Sequence, residues 1–110
     1  MFESKKKIQL WADCGDDYYY GINGEKVDYE IAVDFYHKAM KKKHPHATFM
    51  MGLCYELGRF VDQDSDFAQI LYSEAVGYGD PDALERITSG NVFEPPAPVE
   101  EKDEVNNYIE

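Results

Sequence analysis

Apolar residues recur along most of this chain at the spacing of one helix face. Between Ser4 and Gly21, the residues Ile8, Trp11, Gly15 and Tyr18 fall three or four apart, which predicts a first helix from about Ser4 to Tyr20. Ser4 can cap it by accepting from a free first-turn N–H, and Gly21 can end it. Ile22-Asn23-Gly24 is a turn signal. Asp28 then caps a second helix over about Tyr29 to Lys43, whose apolar stripe is Ile31, Ala32, Phe35, Tyr36, Ala39 and Met40. The three lysines Lys41, Lys42 and Lys43 fall in its last turn, where cations suit the helix dipole. His44-Pro45 reads as a cap followed by proline at the first helical position, opening a third helix from Pro45 to Leu57 that Gly58 ends. Asp64 caps a fourth helix, Ser65 to Tyr78, which buries Phe67, Ala68, Leu71, Tyr72, Ala75 and Val76. Asp80-Pro81 repeats the restart, and Ala83-Leu84-Glu85-Arg86-Ile87 begins a fifth helix that stops at Gly90.

These elements repeat. Gly52, Tyr55 and Gly58 reproduce Gly15, Tyr18 and Gly21, while Asp64, Ala68, Tyr72, Ala75, Pro81 and Ala83 reproduce Asp28, Ala32, Tyr36, Ala39, Pro45 and Ala47. The period is about 36 residues, with one extra residue in the first copy's loop, and such a self-match marks an array of helix pairs stacked on one another. The small residues Gly15, Ala32, Ala39, Gly52, Ala68 and Ala75 let helices approach closely, and Tyr36 and Tyr72 fill the larger gaps. The fold class expected is all-α: an antiparallel helix-pair solenoid of two repeats and a partial third, over residues 1–90. From Asn91 the composition turns to Pro95-Pro96-Ala97-Pro98 and then to acids. Residues 91–110 are therefore expected to be a tail, polyproline-like at first, with a short helix from Glu100 to Ile109. The truncated third unit would leave the side of the fourth helix bearing Phe67 and Leu71 partly open. Val92, Phe93, Val99, Val105, Tyr108 and Ile109 of the tail could cap it, or two chains could pair as a homodimer.

The pattern Gly52-x-x-Tyr55-x-x-Gly58, Asp64, Ala68, Tyr72 and Ala75, matched by Gly15, Tyr18, Gly21, Asp28, Ala32, Tyr36 and Ala39, resembles the Sel1-like repeat, a relative of the tetratricopeptide repeat. The resemblance spans about residues 10 to 88 and implies a protein-interaction scaffold rather than an enzyme. One secreted, cysteine-rich branch of that family staples each helix pair with a disulfide. This chain carries a single cysteine per copy and departs from that branch.

Charge narrows the partners. A formal charge of −11 argues against nucleic acid and acidic lipid, both of which need a basic face, and favours a basic protein surface. Cys14 and Cys54 have no metal spacing, and no apolar run suits a signal segment or a membrane span, so a cytoplasmic protein is expected.

Several motifs invite a chemical reading. Asp62-Gln63-Asp64-Ser65-Asp66 opens like a calcium loop, but Phe67 stands where the loop needs glycine and Ser73 where it needs glutamate, so helix capping is expected. His44-Pro45-His46 has no further ligand at helical or hairpin spacing and reads as a turn. His37 and the cysteines form no nucleophile-and-base pattern, and no catalytic residue, cofactor or metal is assigned.

With Ala47, Met51, Cys54, Tyr55 and Gly58 on the packed side of the third helix, Phe49, Leu53 and Glu56 point away from it. The matching face of the first helix carries Asp16, Tyr19 and Tyr20, beside Ala12. First helices of each pair line the concave surface in related solenoids. These residues are thus the candidate groove for a partner protein or peptide, unless Phe49 and Leu53 simply pack on the preceding pair. The alternative function is a small acidic inhibitor or immunity-type protein that blocks a basic partner electrostatically.

Overall fold

The structure, a computed structural model, describes residues 3–99. Five helices follow one another: α1 (Lys5–Tyr20), α2 (Tyr29–Lys41), α3 (Pro45–Leu57), α4 (Ser65–Tyr78) and α5 (Pro81–Ser89). Among the described residues there is no strand. α1 packs on α2 and α3 on α4 to make two antiparallel pairs, and α2 against α3 and α4 against α5 join successive units. α1, α3 and α5 touch one another only lightly, leaving their common side as a separate face. The expected Glu100–Ile109 helix lies outside the described residues, as do Val105, Tyr108 and Ile109.

Local chemistry sets the helix ends. Ser4, Asp28, His44, Asp64 and Asp80 each accept from the backbone N–H three residues on, at 2.9–3.1 Å, which satisfies one of the free donors of the first turn. Gly21, Gly58 and Gly90 end α1, α3 and α5 in the left-handed conformation. The second helix of each pair is tied back to the first by the same bond in both repeats, Asp28 N to Tyr18 O and Asp64 N to Tyr55 O. α2 stops at Lys41, two residues before the lysine run ends. Lys43 is left-handed (φ 63°), the position that Gly79 (φ 102°) holds in the second repeat, because the chain must reverse there before the proline-led helix begins.

The packing of each pair rests on a glycine. A Cβ added at Gly15 would lie 2.5 Å from the Tyr36 ring, and one at Gly52 would lie 2.8 Å from the Tyr72 ring. Each glycine leaves a notch on the first helix, and the tyrosine of the second helix fills it. Both tyrosines are completely buried.

α3 differs from its expected two-faced character. Residues 47–54 are buried without interruption, because α3 sits mid-array with neighbours on every side. Phe49 lies against Tyr72 on one side and Phe93 on another. The tail also departs from expectation. Residues 91–99 form no helix or strand, and they engage Tyr19, Tyr20, Phe49 and Arg59 on the α1/α3 side rather than capping Phe67 and Leu71. Leu71 is buried regardless, and Phe67, partly exposed, packs edge-on against Tyr55. The Tyr19 and Tyr20 hydroxyls and the Arg59 guanidinium on that side donate to Glu94 and to the Pro95 carbonyl.

Gly15→Ala and Gly52→Ala should each lower stability by about 1–3 kcal/mol, the cost of forcing a methyl into a filled notch. Gly77, helical with open space around its Cα, should gain up to ~1 kcal/mol on replacement by alanine. Urea midpoints measure all three, and equal midpoints would mean the notches are not the close contacts of the fold.

Candidate partner-binding face

The structure brings Tyr19 and Tyr20 of α1 and Phe49 of α3 together at the tail, puts Asp16 and Glu56 at separate joints between helix pairs, and leaves Leu53 in the core. Phe49 and Leu53 are fully buried and Tyr19 nearly so, while Tyr20 is half-buried. Asp16 and Glu56 are buried carboxylates at the joints between helix pairs. Tyr19, Tyr20 and Phe49 meet the tail.

The two joints follow one plan. Asp16 on α1 accepts from the Tyr36 hydroxyl on α2 at 2.6 Å and faces His46 Nε2 on α3 at 2.8 Å. Glu56 on α3 accepts from the Tyr72 hydroxyl on α4 at 2.6 Å and from both Nε and Nη2 of Arg86 on α5. Each carboxylate therefore joins three successive helices, and its basic partner, His46 or Arg86, stands 30 residues after it. The Arg86 guanidinium also lies 5.3 Å over the Tyr72 ring. Burial alone would raise the Glu56 carboxyl; the Arg86 and Tyr72 hydrogen bonds and the Arg86 charge outweigh it and hold the carboxyl below its usual value. Helical periodicity set Asp16 and Glu56 on an open groove face, whereas the structure buries both carboxylates among partners that the periodicity did not name. The repeated spacing of thirty between acid and basic partner is the signal that points to His46 and Arg86.

The tail meets an aromatic strip crossing from α3 to α1. The Phe93 ring sits 6.2 Å from Phe49. Glu94 accepts from the Tyr19 hydroxyl and from Arg59 Nη2 at 3.0 Å, and the Pro95 carbonyl accepts from the Tyr20 hydroxyl at 2.7 Å. Arg59 is held in place by Tyr29, whose ring lies 4.9 Å beneath its guanidinium. Its Nε is the one buried side-chain N or O without a hydrogen bond among the described residues. Further along, Pro95, Pro96 and Pro98 wall a recess with Asp16, Tyr20, His46 and Asp82. Arg59 and Glu94 were not evident from the repeat pattern, because one follows a helix stop and the other lies past the last repeat.

The histidine turn proves more connected than its sequence suggests. His44 caps α3 through Nδ1 and meets Gln9 through Nε2 at 2.8 Å, an arrangement that suits the neutral ring. His46, Asp80 and Asp82 bring one potential ligand atom each within 4.8 Å of the others. Asp80 caps α5 and His46 faces Asp16, so both already have protein partners. Cys14 and Cys54 are free thiols. Burial pushes Cys54 up to about 12, against the opposing charge of Arg59, which disfavours the reactive thiolate.

The two histidines give stability a pH signature. Burial would lower His46, but the hydrogen bond and charge of Asp16 reverse this and hold it above its ordinary 6.5. Its contribution is then fully present below pH 6.5 and is lost as pH rises through the folded-state value. His44 is lowered, by burial first and by His46 second, so its contribution is lost as pH falls below 6.5. Urea stability should therefore decline on the alkaline side of 6.5, and His46→Gln should remove that decline while His44→Asn preserves it. An unchanged alkaline decline in His46→Gln would show that His46 does not carry a charge at the first joint.

Comparison with known proteins agrees with this geometry. The Sel1 repeat matches twice, over residues 12–44 and 45–76, which together make up more than half of the chain. Among solved structures, a Sel1 repeat protein from Oxalobacter formigenes superposes with a TM-score of 0.69 at 28% sequence identity. The match covers 74% of this chain and 61% of that protein, so this chain spans less than two thirds of its relative's length. Comparison with curated proteins gives no match. Among the described residues, no helix is long and apolar enough to cross a membrane. Sel1 repeat proteins are generally protein-interaction modules built on this helical-repeat fold. Two tandem matches in register with the helix pairs, and a solved relative of the same architecture, place this chain in the Sel1 repeat family.

Proposed function

We propose that this chain is an adaptor that holds a segment of another protein on the face formed by α1 and α3, with Tyr19, Tyr20 and Phe49 as the contact residues and Asp16, Leu53 and Glu56 fixing the surface beneath. The observation that supports this reading most is that the face already accommodates a stretch of chain without regular structure, through ring contact, a carboxylate pocket and a hydroxyl donor. A surface able to do this for residues 93–95 has the chemistry to do it for a partner's segment.

A second reading, an acidic inhibitor of a basic protein, draws on the recess lined by Asp13, Asp16 and Asp17 beside the tail. Burial chiefly holds Asp17 above its usual value against the Asn23 hydrogen bond, with the Asp13, Asp16 and Glu25 charges adding to it. The two readings differ in salt response, because charge-driven blocking weakens steeply with ionic strength and aromatic contact does not.

A photo-cross-linking residue at Tyr20 should capture a partner that the same residue at Ile70, exposed on α4, does not. The captured complex should persist at physiological salt. Capture from Ile70 alone would move the working surface to the opposite side of the array, and capture abolished by salt would favour the inhibitor.

A further inference from the structure

Three consecutive tail residues are each met by a different group on the α1/α3 face. Phe93 meets an aromatic ring, Glu94 a guanidinium and a phenol, and the Pro95 carbonyl a second phenol. The segment lies on its own fold as a ligand lies on a receptor. Phe93 and Pro95 are half-buried while Val92, Glu94, Pro96 and Ala97 are exposed, and the Glu94 carboxylate still reaches Tyr19 and Arg59 at the edge of the face. The hydrogen bonds that hold it run from side chains of α1 and of the turn after α3 to its acceptors, so they transfer readily to any segment presenting the same acceptors in the same order. Pro95, Pro96 and Pro98 restrict its backbone, so little conformational entropy is lost on docking. In a chain of charge −11, Arg59 puts a cation on this face, and the Tyr29 ring beneath it aims it at position 94.

We infer that this face is a recognition site for an extended peptide of the order aromatic–acidic–proline, and that residues 93–95 are its resident occupant, displaced by a partner segment of the same chemistry. The inference rests on the reading of the α1/α3 face as the working surface and adds to it the class of partner. Phe49 supplies the aromatic contact, Arg59 and Tyr19 read the acid, and Tyr20 reads the carbonyl of the proline. Because the tail is tethered beside the site, it competes at an effective concentration in the millimolar range, which sets a threshold that a partner's segment must exceed.

The test uses the full chain and a fluorescent peptide of the sequence of residues 92–98, Val-Phe-Glu-Pro-Pro-Ala-Pro. In a chain carrying Phe93→Ser and Glu94→Ser the site is vacated, and fluorescence polarisation should show the peptide binding at least ~tenfold more tightly than to the unmodified chain. Glu94→Gln within the peptide should weaken that binding about tenfold, and adding Arg59→Gln to the chain should erase the difference between the two peptides. No saturable binding to the vacated chain up to about 1 mM peptide would overturn the inference. So would a scrambled peptide that binds equally well, although the face would then remain a peptide-holding surface.

A measurement on the unmodified chain does not depend on the variant folding. Excess unlabelled peptide should move the amide resonances of residues 93–97 that carry an N–H toward those of the free peptide, and resonances that stay fixed would overturn the proposal. A concentration-dependent dimer that Phe93→Ser and Glu94→Ser abolish would assign the site to a second copy's tail and also overturn it. If Tyr20 captures a partner while no peptide of this order binds, the adaptor reading stands and this inference fails.

Discussion

A tyrosine ring that fills a glycine notch is buried whole, and its hydroxyl goes with it. That hydroxyl must find an acceptor, because a buried unpaired hydroxyl costs on the order of 1–3 kcal/mol. In both repeats the acceptor is a carboxylate on the first helix of the pair, Asp16 for Tyr36 and Glu56 for Tyr72. A buried carboxylate in turn needs a cation, and the next pair supplies it as His46 or Arg86. One steric fact thus sets off a sequence of polar requirements that ends by fixing each helix pair to the next. Without the notch the tyrosine could not enter, and without the cation the carboxylate could not stay.

This arrangement bears directly on the α1/α3 face that holds the tail. Tyr19 and Tyr20 follow Asp16 on α1, and Arg59 comes just after Glu56 and the end of α3. The joints that hold α1, α3 and α5 together therefore also set the distances between the groups that grip the tail. Arg86 keeps its charge at any ordinary pH, whereas His46 does not, so the second joint is permanent and the first responds to pH.

Much of the fold was legible because its signals are local. Serine, aspartate and histidine caps, glycine stops and the Asp-Pro and His-Pro restarts act within a few residues of themselves, and all five helices begin where those residues predict. Lys43 was not legible as a helix end, because nothing in lysine announces the left-handed conformation that chain reversal imposes on it. The burial of Phe49 and Leu53 depends on neighbours distant in sequence, and a helical wheel holds only the helix itself. For the same reason Asp16 and Glu56 were set on an open groove face with no partner named, although the interval of thirty was present in the chain twice. The tail was read by its apolar residues as a cap for α4 or a dimer seam, and of those residues only Val92, Phe93 and Val99 are described. The described part, residues 91–99, is held by Glu94 and the Pro95 carbonyl, whose donors no pattern in the repeats displays.

The central claim is that tyrosine, carboxylate and cation act as one unit across each joint rather than as separate contacts. A double-mutant cycle at the second joint tests it most directly, with Tyr72→Phe removing the hydroxyl and Arg86→Met removing the charge while keeping most of the side-chain length. The two groups both bond Glu56, so their urea-derived stability losses should be non-additive by about 0.5–3 kcal/mol. Losses that add to within about 0.3 kcal/mol would show that the hydroxyl and the guanidinium stabilise the array independently, and would contradict the account.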